Sequence, residues 1–239
     1  MTTIYNVQAR EILDSRGNPT LEVDITLTNG MVGRAAVPAG ASTGSHEAVE
    51  LRDREMQRYS GLGVQAAVNN INHHLRSQLH QVSVMSQADF DALLLSWDNT
   101  PNKSQLGANV MLALSIAAAK CAALTHNVPL FEYLRTCYAA NTSDYCLPVP
   151  LFNIINGGAH ADNGLAIQEL LILPLGCTSF AEALRCGVEV YHTLKHILRS
   201  NHLYTGVGDE GGYTPQVPDV RVALDYIVAA IYALSLIHI

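Results

Sequence analysis

Three clusters of polar residues in this 239-residue chain have the types and spacing that suit anion binding or acid–base chemistry. In AGASTG (39–44), glycines flank small hydroxyl residues, so backbone N–H groups and Ser42 can bend onto an anion or a hard cation. NGGAHADN (156–163) carries His160, and GDEGG (208–212) holds adjacent carboxylates between glycines. Taken singly, each cluster is explained as well by an ordinary loop. Together they favour a polar anionic substrate handled by carboxylates and a divalent metal.

A pair of polar residues, Gln168-Glu169, interrupts the apolar run LAIQELLIL at 165–173. We expect this run to be a buried strand. A buried carboxylate is costly unless it is paired, bound to a metal or kept protonated. The sequence therefore leaves two roles open for Glu169, a structural ion-pair partner or a site group with a raised pKa.

The elements before residue 139 predict an α+β unit. Alternation of apolar and polar residues indicates strands at 4–10, 20–28 and 31–37, with Asn29-Gly30 as a hairpin turn. From 64 to 138 the apolar spacing becomes helical, and 106–124 is so apolar that we expect it to be buried almost all round. A three-stranded meander followed by a helical layer is the predicted arrangement.

After a polar linker candidate at 139–146, strand-length runs at 147–155 and 165–173 precede helices at 179–200 and 219–231. Strands that alternate with helices predict a βα barrel or a wound sheet. The roughly 100 residues of this part are too few for a complete eight-fold barrel, which needs about 250. The sequence leaves a small α/β domain and an incomplete barrel open.

Composition argues against several other classes of protein. A net charge of −7 disfavours a nucleic-acid-binding surface, which is normally basic. The start has no apolar signal segment, so we expect a cytoplasmic protein, with a cell-surface or secreted location as a secondary alternative. The apolar end, 226–239, is shorter than the span of about 20 residues that a membrane requires. Five cysteines without a Cys-x-x-Cys spacing predict free, buried thiols rather than disulfides or a zinc site.

Several segments resemble the enolase (phosphopyruvate hydratase) family, with a bacterial character. They are VPAGASTG, LPVPLFNIINGGAHADN, IQELLILP and VGDEGGYTPQ, and the similarity runs from about residue 3 to about residue 231. The resemblance implies an α+β N-terminal domain over 1–138. It further implies the first part of a TIM-like barrel with a ββαα start, left incomplete, over 139–239. Family members pair through the N-terminal domain, so a homodimer is implied for the full-length protein.

The resemblance also implies a hydro-lyase that interconverts 2-phosphoglycerate and phosphoenolpyruvate with two Mg²⁺ ions and a Lys base. Ser42 matches the Ser that closes over the substrate and ligates the second Mg²⁺. His160 matches a His near the phosphate and the leaving group. Gln168 and Glu169 match a substrate-contacting pair, and we expect Glu169 to be catalytic as well. Glu210 matches the general acid that assists departure of the hydroxyl group.

Other parts of the family site have no match in this sequence. The Lys base and the three carboxylates of the first Mg²⁺ correspond to positions beyond Ile239, so we expect a truncated, inactive fragment. Residues 234–239 match nothing in the family and read like a translated sequencing adapter, so we interpret them as a non-native tail. Two alternatives are another acid-sugar enzyme of the superfamily and a non-catalytic, enolase-like binding or structural protein.

Overall fold

The computed structural model describes residues 2–40, 43–138 and 145–234, which divide into two compact units, Met1–Ser143 and Asp144–Ile239. Most of the predicted linker at 139–146 lies outside the described residues. A domain boundary at residue 138 stays a prediction.

The first unit begins with the predicted meander. Strands β1 (Ile4–Leu13), β2 (Pro19–Leu27) and β3 (Val32–Ala36) form an antiparallel sheet in the order β1-β2-β3. Gly30 has φ +84° in the hairpin between β2 and β3, a left-handed conformation that glycine adopts at little cost. Alternate residues of β2, among them Val23 and Ile25, are fully buried, as the period-two pattern predicts.

Helices cover this sheet and complete the core. They are α1 (Gln65–Asn69), a π-helical turn (Asn70–Leu75), α2 (Arg76–Leu79), α3 (Gln87–Trp97), α4 (Ala108–His126) and α5 (Leu130–Tyr138). Helix α4 packs on β2 and β3. A Cβ atom at Gly33 of β3 would lie 2.3 Å from the carbonyl oxygen of Ala117, so the helix approaches as closely as it does only because residue 33 is glycine.

The π-helical turn faces the edge strand β1. Its Asn72 accepts a hydrogen bond from the backbone N–H of Ala9 (2.8 Å) and donates one to the carbonyl of Ala9 (3.0 Å). The amide side chain thereby satisfies two backbone groups at the sheet edge, where they would otherwise lack a strand partner. Nothing in the helical spacing of the sequence predicts this turn.

Helix α4 is less buried than its composition predicts. Leu112 and Leu124 are about half exposed, so the expectation of burial almost all round is wrong. Of the described helices, only α4 has the length and apolarity of a membrane span. However, 56% of its most apolar 18-residue stretch is buried inside the structure. A core helix with one open face accounts for that pattern.

The second unit has the order strand, strand, helix, helix. Strands β4 (Phe152–Asn156) and β5 (Glu169–Ile172) are antiparallel and precede α6 (Phe180–Ser200) and α7 (Val220–Ala233). This order confirms the predicted ββαα start. Within residues 145–234 the sheet is two-stranded and not closed, so the described part is the beginning of a barrel and not a complete one.

The loop that follows α6 lies along the other side of β4. Tyr213 donates its N–H to the carbonyl of Ile154 and accepts from the N–H of Asn156, both at 2.9 Å. Strand β4 therefore has β5 on one side and the Tyr213 segment on the other. The polar sequences that follow β4, precede β5 and precede Tyr213 are thus brought to one end of this short sheet.

The cysteines only partly follow the prediction. All five are free, as expected. Cys121 and Cys186 are buried, but Cys137 and Cys146 are exposed and Cys177 is half-buried, so the predicted burial is wrong for these three. Cys137 is near the end of α5 and Cys146 lies in the irregular segment before β4, and neither side chain belongs to the core of its unit.

Candidate functional site

His160 forms the floor of a cluster in the second unit. Strand β4 ends at Asn156, and a short 3₁₀ turn, Gly158–His160, directs the chain back toward the sheet. Gly158 has φ +53°, a conformation that favours glycine, so the double glycine makes the sharp turn accessible. The side chain of His160 is only 2% exposed.

Glu210 reaches this cluster from the loop that precedes Tyr213. The loop is closed by hydrogen bonds from the N–H of Gly208 to the carbonyl of Gly212 (2.8 Å) and from the N–H of Gly211 to the carbonyl of Gly208 (3.0 Å). A Cβ atom at Gly208 would lie 2.6 Å from the carbonyl oxygen of His160. Backbone thus packs on backbone here, and only glycine permits that distance.

Gln168 and Glu169 enter from the start of β5. The amide Nε2 of Gln168 lies 2.9 Å from Nε2 of His160, and an amide nitrogen can only donate. In this orientation of the amide the ring Nε2 accepts the hydrogen bond, which leaves Nδ1 as the ring nitrogen that carries a hydrogen. That Nδ1 faces Oε2 of Glu210 at 3.4 Å and Oε1 of Glu169 at 3.8 Å.

The two carboxylates stand at the open side of the cluster. The side chain of Glu169 is 34% exposed and that of Glu210 is 42% exposed, so the prediction of a buried carboxylate at Glu169 is wrong. The strand is short, and Glu169 is its first residue, at the polar end of the sheet. Nδ1 of His160 is buried and makes no hydrogen bond to any described residue, although both carboxylates lie within 4 Å. The arrangement can move a proton between a carboxylate and a small polar ligand, directly or through one water.

Two family models match the chain. The enolase N-terminal domain matches residues 4–134, and the enolase C-terminal TIM barrel domain matches residues 144–235. The chain belongs to the enolase family. The resemblance drawn from the sequence motifs is confirmed, whereas a bacterial origin stays a prediction.

The cluster does not by itself fit the Mg²⁺ that enolases use. Ligand atoms of His160, Glu169 and Glu210 lie within 4.8 Å of one another, but one of them is a ring nitrogen. Mg²⁺ prefers an octahedral set of oxygen ligands, and imidazole suits zinc and other transition metals better. This donor set suits proton transfer better than Mg²⁺ binding. Ser42, the Mg²⁺ ligand predicted in this chain, lies outside the described residues.

The remaining predicted enolase residues fall together. His160, Gln168, Glu169 and Glu210 come from three segments of the second unit and converge on one cluster. The loop that contains Ser42 belongs to the first unit, where Arg16 donates to the carbonyls of Ala39 (2.9 Å) and Gly40 (3.3 Å). These bonds hold the described start of that loop.

Three asparagines around the cluster were not predicted as site residues: Asn153, and Asn156 and Asn163 at the two ends of the NGGAHADN motif. Asn153 donates its amide Nδ2 to Oε2 of Glu210 at 3.2 Å. Buried Asn163 donates to the carbonyls of Asn156 (2.8 Å) and Pro215 (3.2 Å), which ties the His160 loop to the segment after Tyr213. Asn153 interrupts the apolar run LPVPLFNII much as Gln168-Glu169 interrupts the next one, and that repeated signal could have revealed it; Asn156 directly follows the run.

Two stacked tyrosines, Tyr191 and Tyr213, pack against the loop that carries Glu210. The rings of Tyr191 and Tyr213 stack with centroids 4.3 Å apart, and the hydroxyl of Tyr191 donates to the carbonyl of Gly211 at 2.8 Å. Burial, with the neighbouring Tyr191 hydroxyl, raises the pKa of the Tyr213 phenol, so this group stays protonated at neutral pH. Tyr213 is thus a packing group beneath the loop and not an acid or base.

Proposed function

We propose that this chain supplies the acid side of an enolase site, for the Mg²⁺-dependent, reversible dehydration of 2-phospho-D-glycerate to phosphoenolpyruvate in the cytoplasm. The observation that carries the proposal is the convergence of His160, Gln168, Glu169 and Glu210 in a chain that matches both enolase domains. Elimination of hydroxide from a carbanion-like intermediate needs a proton donor at the leaving oxygen. A carboxyl group held at the open side of a pocket suits that task.

In this proposal Glu210 is the general acid. Asn153 holds its Oε2, which leaves Oε1 to face the substrate hydroxyl and give up the proton as water departs. Glu169 and Gln168 contact the substrate, and His160 on the floor presents its Nδ1 proton between the carboxylates. Ser42 is proposed as a substrate-closing residue and Mg²⁺ ligand, in keeping with its position in the family motif.

We further propose that the 239-residue chain does not turn over by itself. The family's base is a lysine, and this chain has lysine only at 103, 120 and 195. Lys103 and Lys120 lie in the first unit and donate to the backbone carbonyls of Asp98 and Arg34. Lys195 lies on α6 and forms no ion pair with either carboxylate of the described cluster. Without a base to remove the substrate proton, the acid side alone should be ineffective.

The test compares two purified proteins, the 239-residue chain and the product of the uninterrupted reading frame that continues it. With Mg²⁺ and 2-phosphoglycerate, we expect phosphoenolpyruvate absorbance to grow only with the longer protein. Glu210→Gln in the longer protein should lower kcat by a factor of about 10² to 10⁴, the usual contribution of a general acid. Asp225→Asn, a matched change at an exposed position of α7, should leave kcat unchanged.

Three other outcomes would each contradict a part of the proposal. Phosphoenolpyruvate formation by the 239-residue chain would overturn the proposed inactivity. Full activity of the Glu210→Gln protein would remove Glu210 from the role of acid. An inactive longer protein that is folded would favour a non-catalytic binding or structural enolase-like protein instead.

A further inference from the structure

Two thiols of the second unit lie side by side. Sγ of Cys177 is 3.4 Å from Sγ of Cys186. Cys186 lies in the second turn of α6, and Cys177 lies in the segment that leads into this helix. Ser179 between them caps the helix by accepting the N–H of Glu182 at 3.2 Å, so the segment is held against the start of α6. Neither thiol belongs to the His160 cluster.

The two thiols differ in access. Cys177 is half-buried and lines a cavity of about 480 Å³, together with Cys146, Thr178, Ser179 and Phe180. Cys186 is 4% exposed and does not line that cavity. A small reagent that enters the cavity thus meets Cys177 first and finds Cys186 directly behind it.

We propose that Cys177 and Cys186 are a peroxide-reactive thiol pair that closes to an intramolecular disulfide. Cys177 as thiolate attacks a hydroperoxide; its S–O bond forms, the O–O bond breaks, and the alcohol or water leaves with a proton. The thiol of Cys186 then attacks the sulfenic acid of Cys177; the S–S bond forms, the S–O bond breaks, and hydroxide leaves with the Cys186 proton as water. Two thiols lose two electrons, and the hydroperoxide is reduced.

The assignment of the two roles follows from the surroundings. Burial, followed by the contact with Cys177, raises the pKa of the Cys186 thiol, and a thiol that resists ionisation is a poor first nucleophile. It needs no ionisation in water to react with a sulfenic acid that forms 3.4 Å away. Cys121, in the first unit, is also buried, and burial raises its pKa to about 11, but no other described cysteine lies beside it.

Closure requires the sulfurs to approach by roughly 1.4 Å, to an S–S bond of about 2.05 Å. Helix α6 packs closely on Phe152 at Gly187, where an added Cβ atom would lie 2.4 Å from the ring, so the helix has little room to shift. The segment before the helix must therefore supply the movement. Cys177 follows Gly176 there, in a stretch without helix or strand structure.

The experiment uses the purified, reduced 239-residue chain and hydrogen peroxide as the probe. After one equivalent of peroxide, remaining thiols are alkylated and counted by intact mass, and the tryptic digest is searched for disulfide-linked peptides. Cleavage after Arg185 separates the pair, so the expected product joins peptide 136–185 to peptide 186–195, with fragmentation placing the bond on Cys177. We expect two of the five thiols to become protected and dithiothreitol to restore them.

Single Cys-to-Ser variants provide the controls. Cys146→Ser and Cys137→Ser should still lose two thiols, whereas Cys186→Ser should stop at a sulfenic acid that dimedone traps on Cys177. Five alkylatable thiols after oxidation of the wild-type chain, or a linkage from Cys177 to Cys146, would overturn the proposal. The circular dichroism spectrum of each variant shows whether α6 is retained. If Cys186→Ser unfolds, the linkage found in the wild-type and Cys146→Ser chains decides the matter alone.

Discussion

Asn153 is a small residue with a large influence on the site, because its amide holds the carboxylate of Glu210 at 3.2 Å. Its own Oδ1 is buried and makes no hydrogen bond to any described group. Nδ1 of His160 lies beside the same carboxylate at 3.4 Å. A positioning role for Asn153 follows from this geometry and from the proposed acid role of Glu210.

We expect Asn153→Ala in the longer protein of the proposed test to lower kcat by about tenfold, the equivalent of one net hydrogen bond, with KM nearly unchanged. Steady-state kinetics over a range of 2-phosphoglycerate concentrations measure both values. Asn201→Ala, at the C-terminal end of α6, removes an exposed asparagine from outside the site and should change neither. An unchanged kcat in the Asn153 variant would show that Glu210 is held by other contacts.

The buried carboxylate of Asp98 contributes to the stability of the first unit. It is fully buried, and it accepts hydrogen bonds from the N–H groups of Thr100, Gln105 and Leu106 and from the Thr100 hydroxyl. Burial alone would raise its pKa, but the bonds from Leu106, Thr100 and Gln105 outweigh burial and lower the pKa below 3.8. The folded state thus binds the proton more weakly than the unfolded chain.

The resulting stabilisation is present above the ordinary Asp pKa and is lost as pH falls through the lowered folded pKa. We expect Asp98→Asn to reduce the free energy of unfolding of the first unit by about 2 kcal/mol at pH 7. The difference from wild type should shrink at pH 3. Urea titrations followed by fluorescence of Trp97, the chain's one tryptophan, measure the free energy of unfolding at both pH values. Glu55→Gln, at an exposed position, serves as the control. A difference that grows at pH 3 would contradict the assignment.

At the scale of elements, the two helices of the second unit begin at side-chain caps. Ser179 accepts the N–H of Glu182, and Asp219 accepts the N–H of Val222 at 3.0 Å. Each cap satisfies one of the N–H groups that the first helical turn leaves without a partner. The caps fix where α6 and α7 start, and α6 in turn carries Tyr191 to the Glu210 loop.

We expect Asp219→Ala to lower the free energy of unfolding of the second unit by about 1 kcal/mol, the typical value of a cap. Asp219→Asn keeps an acceptor oxygen and should recover most of the loss. Asp225→Ala removes the same charge from an exposed interior position of α7 and serves as the matched control. Urea unfolding followed by circular dichroism measures all three. An equal loss in the two alanine variants would indicate an effect of charge and not of capping.

Strands and helices could be predicted from the sequence where a long pattern of apolar residues marks one buried face. The alternation in β2 and the apolar spacing in α6 each record which face is buried, and both were predicted within a few residues. Strand β5 was predicted at twice its length or more, because apolar residues outside 169–172 pack without joining the ladder. The π-helical turn was not predicted, since it depends on a partner, Ala9, that is 63 positions away from Asn72.

On the scale of the whole molecule, the two units have cores of different size. The core of the first unit joins the meander to helices α1 to α5, whereas that of the second rests on two short strands and two helices. Helix α7 also leaves Leu224, Val228 and Tyr232 about half exposed or more. These residues recur every four positions and form an apolar stripe on the helix.

We therefore expect the units to unfold in separate steps, the second at the lower urea concentration, because it buries less apolar surface. Trp97 fluorescence reports the first unit, and alkylation of the buried Cys186 in the chain reports the second. The Cys186 transition should precede the Trp97 transition. Coincident transitions by the two probes would instead mean that the chain unfolds as one cooperative body.

The sequence by itself determined the family, the order of elements and the residue types of the proposed acid site, because motifs and hydrophobic periods are local properties of the chain. Tertiary structure decided what those residues do together. Only the pairing of β4 with both β5 and the Tyr213 segment brings His160, Glu169 and Glu210 to one end of a sheet. It also decided the exposure of Glu169 and the contact of Cys177 with Cys186, since distances between separated segments depend on packing and not on composition.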